Sequence, residues 1–199
     1  MAIQFSTAVR NAMLDVTESV PGTSAVLRIY TGSPPANPAA AASGTLLVSM
    51  NLPSNWMADA ASGSKALAGS WTGTASAAGT AGYYRIWDSG VATCHEQGTV
   101  TAQVQLTTNA LTAANGNVLN FASTTGVVVG MNVSGTGVPT GATVVAVGGT
   151  TVTLSATSTA GVSNGATITF GGDITLDNTS IASAQSVTIN TKTLTAPNA

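Results

Sequence analysis

The segment VVAVGGTTVTL, residues 144–154, holds two runs rich in β-branched side chains joined at Gly148-Gly149. A glycine pair between two such runs marks a β-hairpin, because tight hairpin turns need the positive-φ backbone that glycine reaches without strain. Working outward, the strands of the hairpin read as Ala142–Val147 and Thr150–Ser155, and further short strands fall at Val118–Ala122, Gly130–Ser134 and Ala166–Phe170, with glycine turns between them. From Gln97 to Gly172 the chain has no Asp, Glu, Lys, Arg or His, and every Trp and Tyr lies before this stretch. So abrupt a change of composition marks a domain boundary. The expectation is a self-contained all-β module at 107–171, immunoglobulin-like or a small barrel.

Around it the chain reads as β of a different kind. Ala25–Tyr30, Thr45–Leu52, Lys65–Gly73, Tyr83–Asp88 and Cys94–Leu106 are rich in β-branched and aromatic residues, and Asp173–Asp177 and Ser186–Thr195 resume the pattern after the module. The fold expected is therefore mainly β: a β-sandwich or jelly-roll-like scaffold, discontinuous over 1–106 and 172–199, with the module inserted in one loop. Gly171-Gly172 supplies the hinge, and insertion at a loop tip is inexpensive when the inserted ends lie close together. The Pro-rich stretch GSPPANPAAAASG, 32–44, reads as an ordered surface arm or a mobile loop.

One helix is predicted at about 7–19. Val9, Met13, Val16 and Val20 recur at helical spacing, Ser6 or Thr7 can cap the start, and Pro21-Gly22 ends it. Most apolar helix faces pack on their own core, and that is the expectation here; docking on a neighbouring subunit is the alternative.

Composition narrows the function. Charged residues make up 6% of the 199 residues and hydrophobic ones 44%, with a formal net charge of −2. An ordinary domain carries about 25% charge. A surface of Thr, Ser, Asn, Gly and Ala repels copies of itself poorly, so partners are expected to cover much of it. Arg10, Arg28, Lys65, Arg85 and Lys192 are scattered and form no basic stripe for nucleic acid. No apolar run reaches membrane-span length, and the N-terminus shows no signal-peptide pattern. The single cysteine, Cys94, excludes an internal disulfide and suits a reducing cytosol.

Reactive groups are few. His95 is the only histidine, flanked by Cys94 and Glu96. Consecutive strand residues face opposite ways, so Cys94 and His95 cannot pair, while Cys94 and Glu96 share a face without a nitrogen base. Asp173, Asp177 and Asn178 lack EF-hand spacing and read as turn caps. Asp59, Asp88 and Glu96 do not declare a carboxylate pair. The runs GTGVPTG and VGGTT contain no phosphate-loop motif, and the sequon Asn178-Thr179-Ser180 needs secretion to matter. No catalytic, cofactor-binding or metal-binding residue is expected, and no enzyme. Trp56, Trp71, Trp87, Tyr83 and Tyr84 are the candidates for a sugar-binding face. In YYRIW, however, alternation puts Tyr84 and Ile86 on one face and Tyr83, Arg85 and Trp87 on the other, which reads as one core face and one subunit contact.

The stretch from Ser6 to Met57, with GTAGYYRIWDS (79–89), HEQGTV (95–100) and LDNTSIASAQSVTINTKTLTAPN (176–198), resembles a family of small virion proteins of tailed bacteriophages, over residues 5–106 and 172–199. The segment 118–155 is similar to β modules that recur as inserts in phage capsid, decoration and tail proteins. The resemblance implies a virion component assembled in the cytoplasm of a bacterial host. The leading expectation is a capsid decoration (cement) protein whose partners are the major capsid protein and copies of itself. Its contact elements would be the helix, the 32–44 arm and the tail after Thr195, with the module projecting outward. The alternatives are a tail, baseplate or fibre component, or an adhesin making weak host-surface or glycan contact through the module.

Overall fold

The computed structural model describes residues 4–196 of the chain, so the last three residues of the expected contact tail lie outside the described residues. The fold is mainly β with one helix, and it divides into two compact units. The chain up to Ala102 and the part from Asp173 onward form the scaffold, and Gln103–Gly172 forms the second unit.

In chain order the scaffold opens with helix α1 (Thr7–Ser19), then β1 (Val26–Thr31), β2 (Leu46–Asn51), β3 (Ser64–Ala66), β4 (Thr72–Thr74), β5 (Gly79–Trp87) and β6 (Cys94–Ala102). The second unit holds β7 (Val104–Thr107), β8 (Val118–Asn120), β9 (Asn132–Ser134), β10 (Val144–Val147), β11 (Thr151–Leu154) and β12 (Thr167–Gly171). The scaffold resumes with β13 (Ile174–Leu176), β14 (Ser180–Ile181), β15 (Ser186–Thr188) and β16 (Thr191–Thr195). Three of the expected strands are each two strands. Lys65–Gly73 divides into β3 and β4, Ser186–Thr195 into β15 and β16, and Cys94–Leu106 into β6 and β7. The pieces pair with different neighbours: β4 pairs with β15, while β3 pairs with β16.

The large scaffold sheet has the order β2-β1-β5-β6-β13-β16-β3, with β14 added beside β5. One of its faces carries Leu27, Ile29, Val48, Met50, Tyr84, Ile86, Val100 and Ile174 into a core shared with Trp56, Met57, Trp71 and, from the β4–β15 pair, Val187. Trp56 and Trp71 are fully buried and meet edge to face at 5.6 Å. Both indole N–H groups are satisfied, Trp71 by the carbonyls of Trp56 and Ala68, and Trp56 by the carbonyl of Gly22. Burying large amphipathic rings requires this.

The break between units falls after Ala102 rather than after Leu106, because β6 and β7 join different sheets. β6 runs parallel to β13, pairing Val100 with Ile174 and Ala102 with Leu176, whereas β7 pairs with β12 inside the second unit. Parallel neighbours need a long crossover to bring the chain back to its starting end. The entire second unit is that crossover.

That unit contains two three-stranded sheets, β10-β11-β8 and β7-β12-β9. The predicted hairpin is β10–β11, with Val147 opposite Val152 and the Gly148 N–H bonded to the Thr151 carbonyl. Bridges between Thr108 and Phe121 and between Asn132 and Thr143 join the two sheets along both sides, which closes them into a small barrel. Its interior is packed with Leu119, Phe121, Met131, Val152, Ile168 and Phe170. Closure removes free strand edges, the usual site of unwanted pairing. A barrel with no charged side chain to guard its edges is stable against edge pairing for that reason.

Replacing 103–172 with a short linker tests this division. The linker must carry the chain from the end of β6 back to Asp173 beside Thr99, about 10 Å at roughly 3.3 Å per residue. A Gly-Ser linker of about eight residues reaches this. The shortened chain is expected to unfold cooperatively and to keep the near-ultraviolet dichroism of Trp56 and Trp71. An insoluble or molten product would mean that the scaffold does not fold alone.

Candidate functional site

The candidate site is α1, which lies in the scaffold with the opposite face inward from the one expected. Ser6 caps it, its hydroxyl accepting from the Val9 N–H, and the chain leaves the helix at Val20 before Pro21-Gly22. Its inward face is polar. Asn11, Asp15 and Glu18, one helical stripe at i, i+4 and i+7, accept the backbone N–H groups of Gly63, Ala60 and Met57 at 2.8, 3.2 and 3.0 Å. These loop N–H groups have no strand to pair with, and the helix side chains satisfy them. Between the two carboxylates sits Lys65, its ammonium 2.8 Å from Asp15 Oδ1 and 3.1 Å from Glu18 Oε2, with its side chain only 2% exposed. Gly63 suits the turn beneath the helix because its φ of +76° lies in the left-handed region that favours glycine, and the Arg10 guanidinium packs over it.

A consequence is that the apolar stripe faces solvent. Phe5, Val9, Met13, Val16 and Val20 are 41% to 58% exposed, and Leu14 is the only buried residue of the helix. The expectation that the stripe packs on the chain's own core is therefore corrected. The cause is Lys65: turning the valines inward would strand a buried ammonium and three loop N–H groups, each unpaired group costing about 1–3 kcal/mol. Leaving five apolar side chains half exposed forgoes about 1 kcal/mol each. The outward side of α1 therefore presents an uncharged apolar stripe.

The other sequence candidates are placed as follows. The arm 32–44 is ordered and lies across the second face of the large sheet. Tyr83 OH donates to the Ser43 carbonyl and accepts from the Ser43 N–H, Gln97 Nε2 donates to the Pro35 carbonyl, and Arg85 Nη2 donates to the Pro38 carbonyl. Tyr83 stacks on Tyr30 at 5.1 Å, and Arg85 lies 4.7 Å over Trp87. The YYRIW strand thus has two covered faces: Tyr83 and Arg85, expected at a subunit contact, are fully buried beneath the chain's own arm. With Trp56, Trp71 and Tyr84 in the core, these aromatics form no open sugar platform.

Cys94 and Glu96 do not share a face. A bulge sets Ile86 opposite Glu96 but Trp87 opposite Cys94, so His95 is the extra residue and the alternation slips by one. Cys94 Sγ accepts from Arg85 Nε at 3.1 Å on the arm side. Glu96 points into the core, where it accepts from Tyr84 OH and pairs with Lys192, whose side chain is fully buried. Lys192 Nζ also donates to Tyr84 OH at 2.9 Å. Gly98 makes room for this cluster, since a Cβ there would stand 2.7 Å from both Tyr84 Cε1 and Asp173 Oδ2. Burial, then the neighbouring Glu96 carboxylate, pushes the Tyr84 phenol well above its ordinary range.

The remaining acids hold local structure. Asp173 Oδ2 accepts from Thr99 N and Oγ1, Asp177 accepts from Asn190 Nδ2, and Asn178 accepts from the Ser180 N–H. Asp88 binds the N–H groups of Ala92 and Thr93, and these bonds hold its carboxyl below the usual range. Asp59 lines a cleft of about 430 Å³ beside α1, together with Asp15, Glu18 and Lys65. Among the described residues no three His, Cys, Asp or Glu side chains gather as a metal site would require. Of the tail after Thr195 that was expected to make contacts, the first residue, Ala196, is buried in the scaffold, its N–H bonded to the Gly63 carbonyl.

Compared with protein-family models, curated proteins and solved structures, the chain gives no match.

Two pH effects follow from this geometry. The hydrogen bond from Lys65 holds the Asp15 carboxyl below its ordinary value of 3.8, against partial burial and helped by the Ala60 N–H. Its contribution is complete above that value and is lost as the pH falls through the lower native one. Acid should therefore release α1, read as a shift in Trp56 fluorescence, and Asp15→Asn should remove part of that transition; an unchanged acid profile would refute the assignment. At the alkaline end the sign reverses. A raised phenol favours folding until the pH climbs through its native value, so Tyr84 should ionise only with unfolding, and Tyr84→Phe should remove one late-titrating phenol from the absorbance curve.

Proposed function

We propose that this chain is a non-enzymatic structural component of a tailed-phage virion, a capsid decoration protein that binds the major capsid protein in the assembled lattice and strengthens the shell. The observation that carries this reading is the inverted helix: a salt-bridged polar face locked onto the scaffold, and an uncharged apolar stripe held outward. A stripe so presented serves docking between neighbouring copies on the lattice, with other surfaces of the chain left to meet the major capsid protein, and the resemblance of residues 5–106 and 172–199 to small phage virion proteins supplies the setting. The chemistry supports a structural role too. Lys65 bonds to Asp15 and Glu18 of α1, Lys192 to Tyr84 and Glu96, and Arg85 to the Pro38 carbonyl, and each bond holds elements together. Protein that binds only the assembled shell stabilises it by mass action, so each copy need contribute only a few kcal/mol.

Deleting the gene tests this. Heads should still form and fill, but should lose DNA at lower temperature or after osmotic shock, and added purified protein should restore their resistance. Full heads of ordinary stability that lack tails or fail to adsorb would instead assign the chain to the tail.

A further inference from the structure

The exposed stripe specifies more than apolar character. Val9, Met13, Val16 and Val20 follow one another at intervals of four, three and four, the a/d spacing of a coiled-coil seam. The positions flanking that seam are Ala12 and Ser19 on one side and Arg10 and Thr17 on the other. Arg10 is turned towards the loop at Gly63, and Asp15 and Glu18 are engaged with Lys65 on the far side of the helix. A partner helix that chose its mate by flanking charges would find no counter-charge here. An identical neutral seam meets no repulsion and matches in spacing and length.

We propose that α1 pairs seam to seam with α1 of a second copy of this chain. This rests on the reading of the stripe as an interface and names its occupant. The four half-exposed seam side chains present on the order of 300 Å² per copy, so the pair removes at most roughly 600 Å² from water, short of the ~1,200–2,000 Å² of a stable interface. The dimer is therefore reversible in dilute solution and populated where copies are concentrated, as on a particle surface.

The test is sedimentation of the full chain from low micromolar to near-millimolar concentration. Wild type should shift from monomer to dimer across that range, while Val9→Asp combined with Val16→Asp stays monomeric with an unchanged melting midpoint, both residues being exposed. If that double variant folds poorly, Val16→Gln should still weaken the dimer at least severalfold. Disulfide trapping gives an independent measurement. Under mild oxidation, Met13→Cys mixed with Val16→Cys should form the mixed disulfide if the helices are antiparallel, or the like-with-like disulfides if parallel; wild type, whose Cys94 is buried, is the blank. A wild type that stays monomeric throughout, or a dimer indifferent to these substitutions, overturns the pairing. A monomer that nonetheless joins particles only through an intact stripe also overturns it, and leaves the docking reading standing. A chain that dimerises through the stripe but never joins a particle upholds the pairing and overturns the virion reading.

Discussion

A buried ammonium must find a carboxylate, and Lys65 finds two of them on α1. That requirement decides which way the helix faces. With Asp15 and Glu18 drawn in to Lys65, and Asn11 to the Gly63 N–H, the polar side becomes the docked side. The valine stripe is left outward by geometry, because helix positions separated by 180° cannot both face the scaffold. The feature that looks most functional is thus set by an electrostatic demand from strand β3 on the far side of the helix.

The same rule operates in the core. Lys192 on β16 and Glu96 on β6 belong to the two sequence segments of the scaffold, and their ion pair, bridged by Tyr84 on β5, fastens one to the other. Gly98 supplies the space. Exposed ion pairs contribute little, but a fully buried lysine is held by the penalty of leaving it alone. With so few charges in the chain, most of those present are structural fasteners, which leaves a neutral exterior suited to contact with neighbours.

What the sequence disclosed follows the reach of each signal. The hairpin at Val144–Leu154 and the extent of α1 were legible because alternation, capping and turn chemistry are local. The inward face of α1 was not: Asn11, Asp15 and Glu18 repeat as regularly as the valines, and periodicity shows two faces without saying which is buried. The separation of β6 from β7 was equally silent, since Gln103 is no strand breaker and only the parallel partner β13 ends the first strand. One bulge beside His95 reversed the expected relation of Cys94 and Glu96. The arm's docking runs through the carbonyls of Pro35, Pro38 and Ser43, groups that no side-chain pattern reports.

Placing a whole barrel in the crossover between β6 and β13 also imposes an order on events at the ribosome. As the chain emerges, β6 is complete while its parallel neighbour has yet to be made, and Glu96 waits in water for a lysine 96 residues downstream. The barrel has all its strands in one continuous segment, so its closure needs nothing from β13 to β16. Only when β13 and β16 follow does Glu96 gain its counter-ion and the sheet its last neighbours. The scaffold sheet is therefore completed after every strand of the barrel has been made.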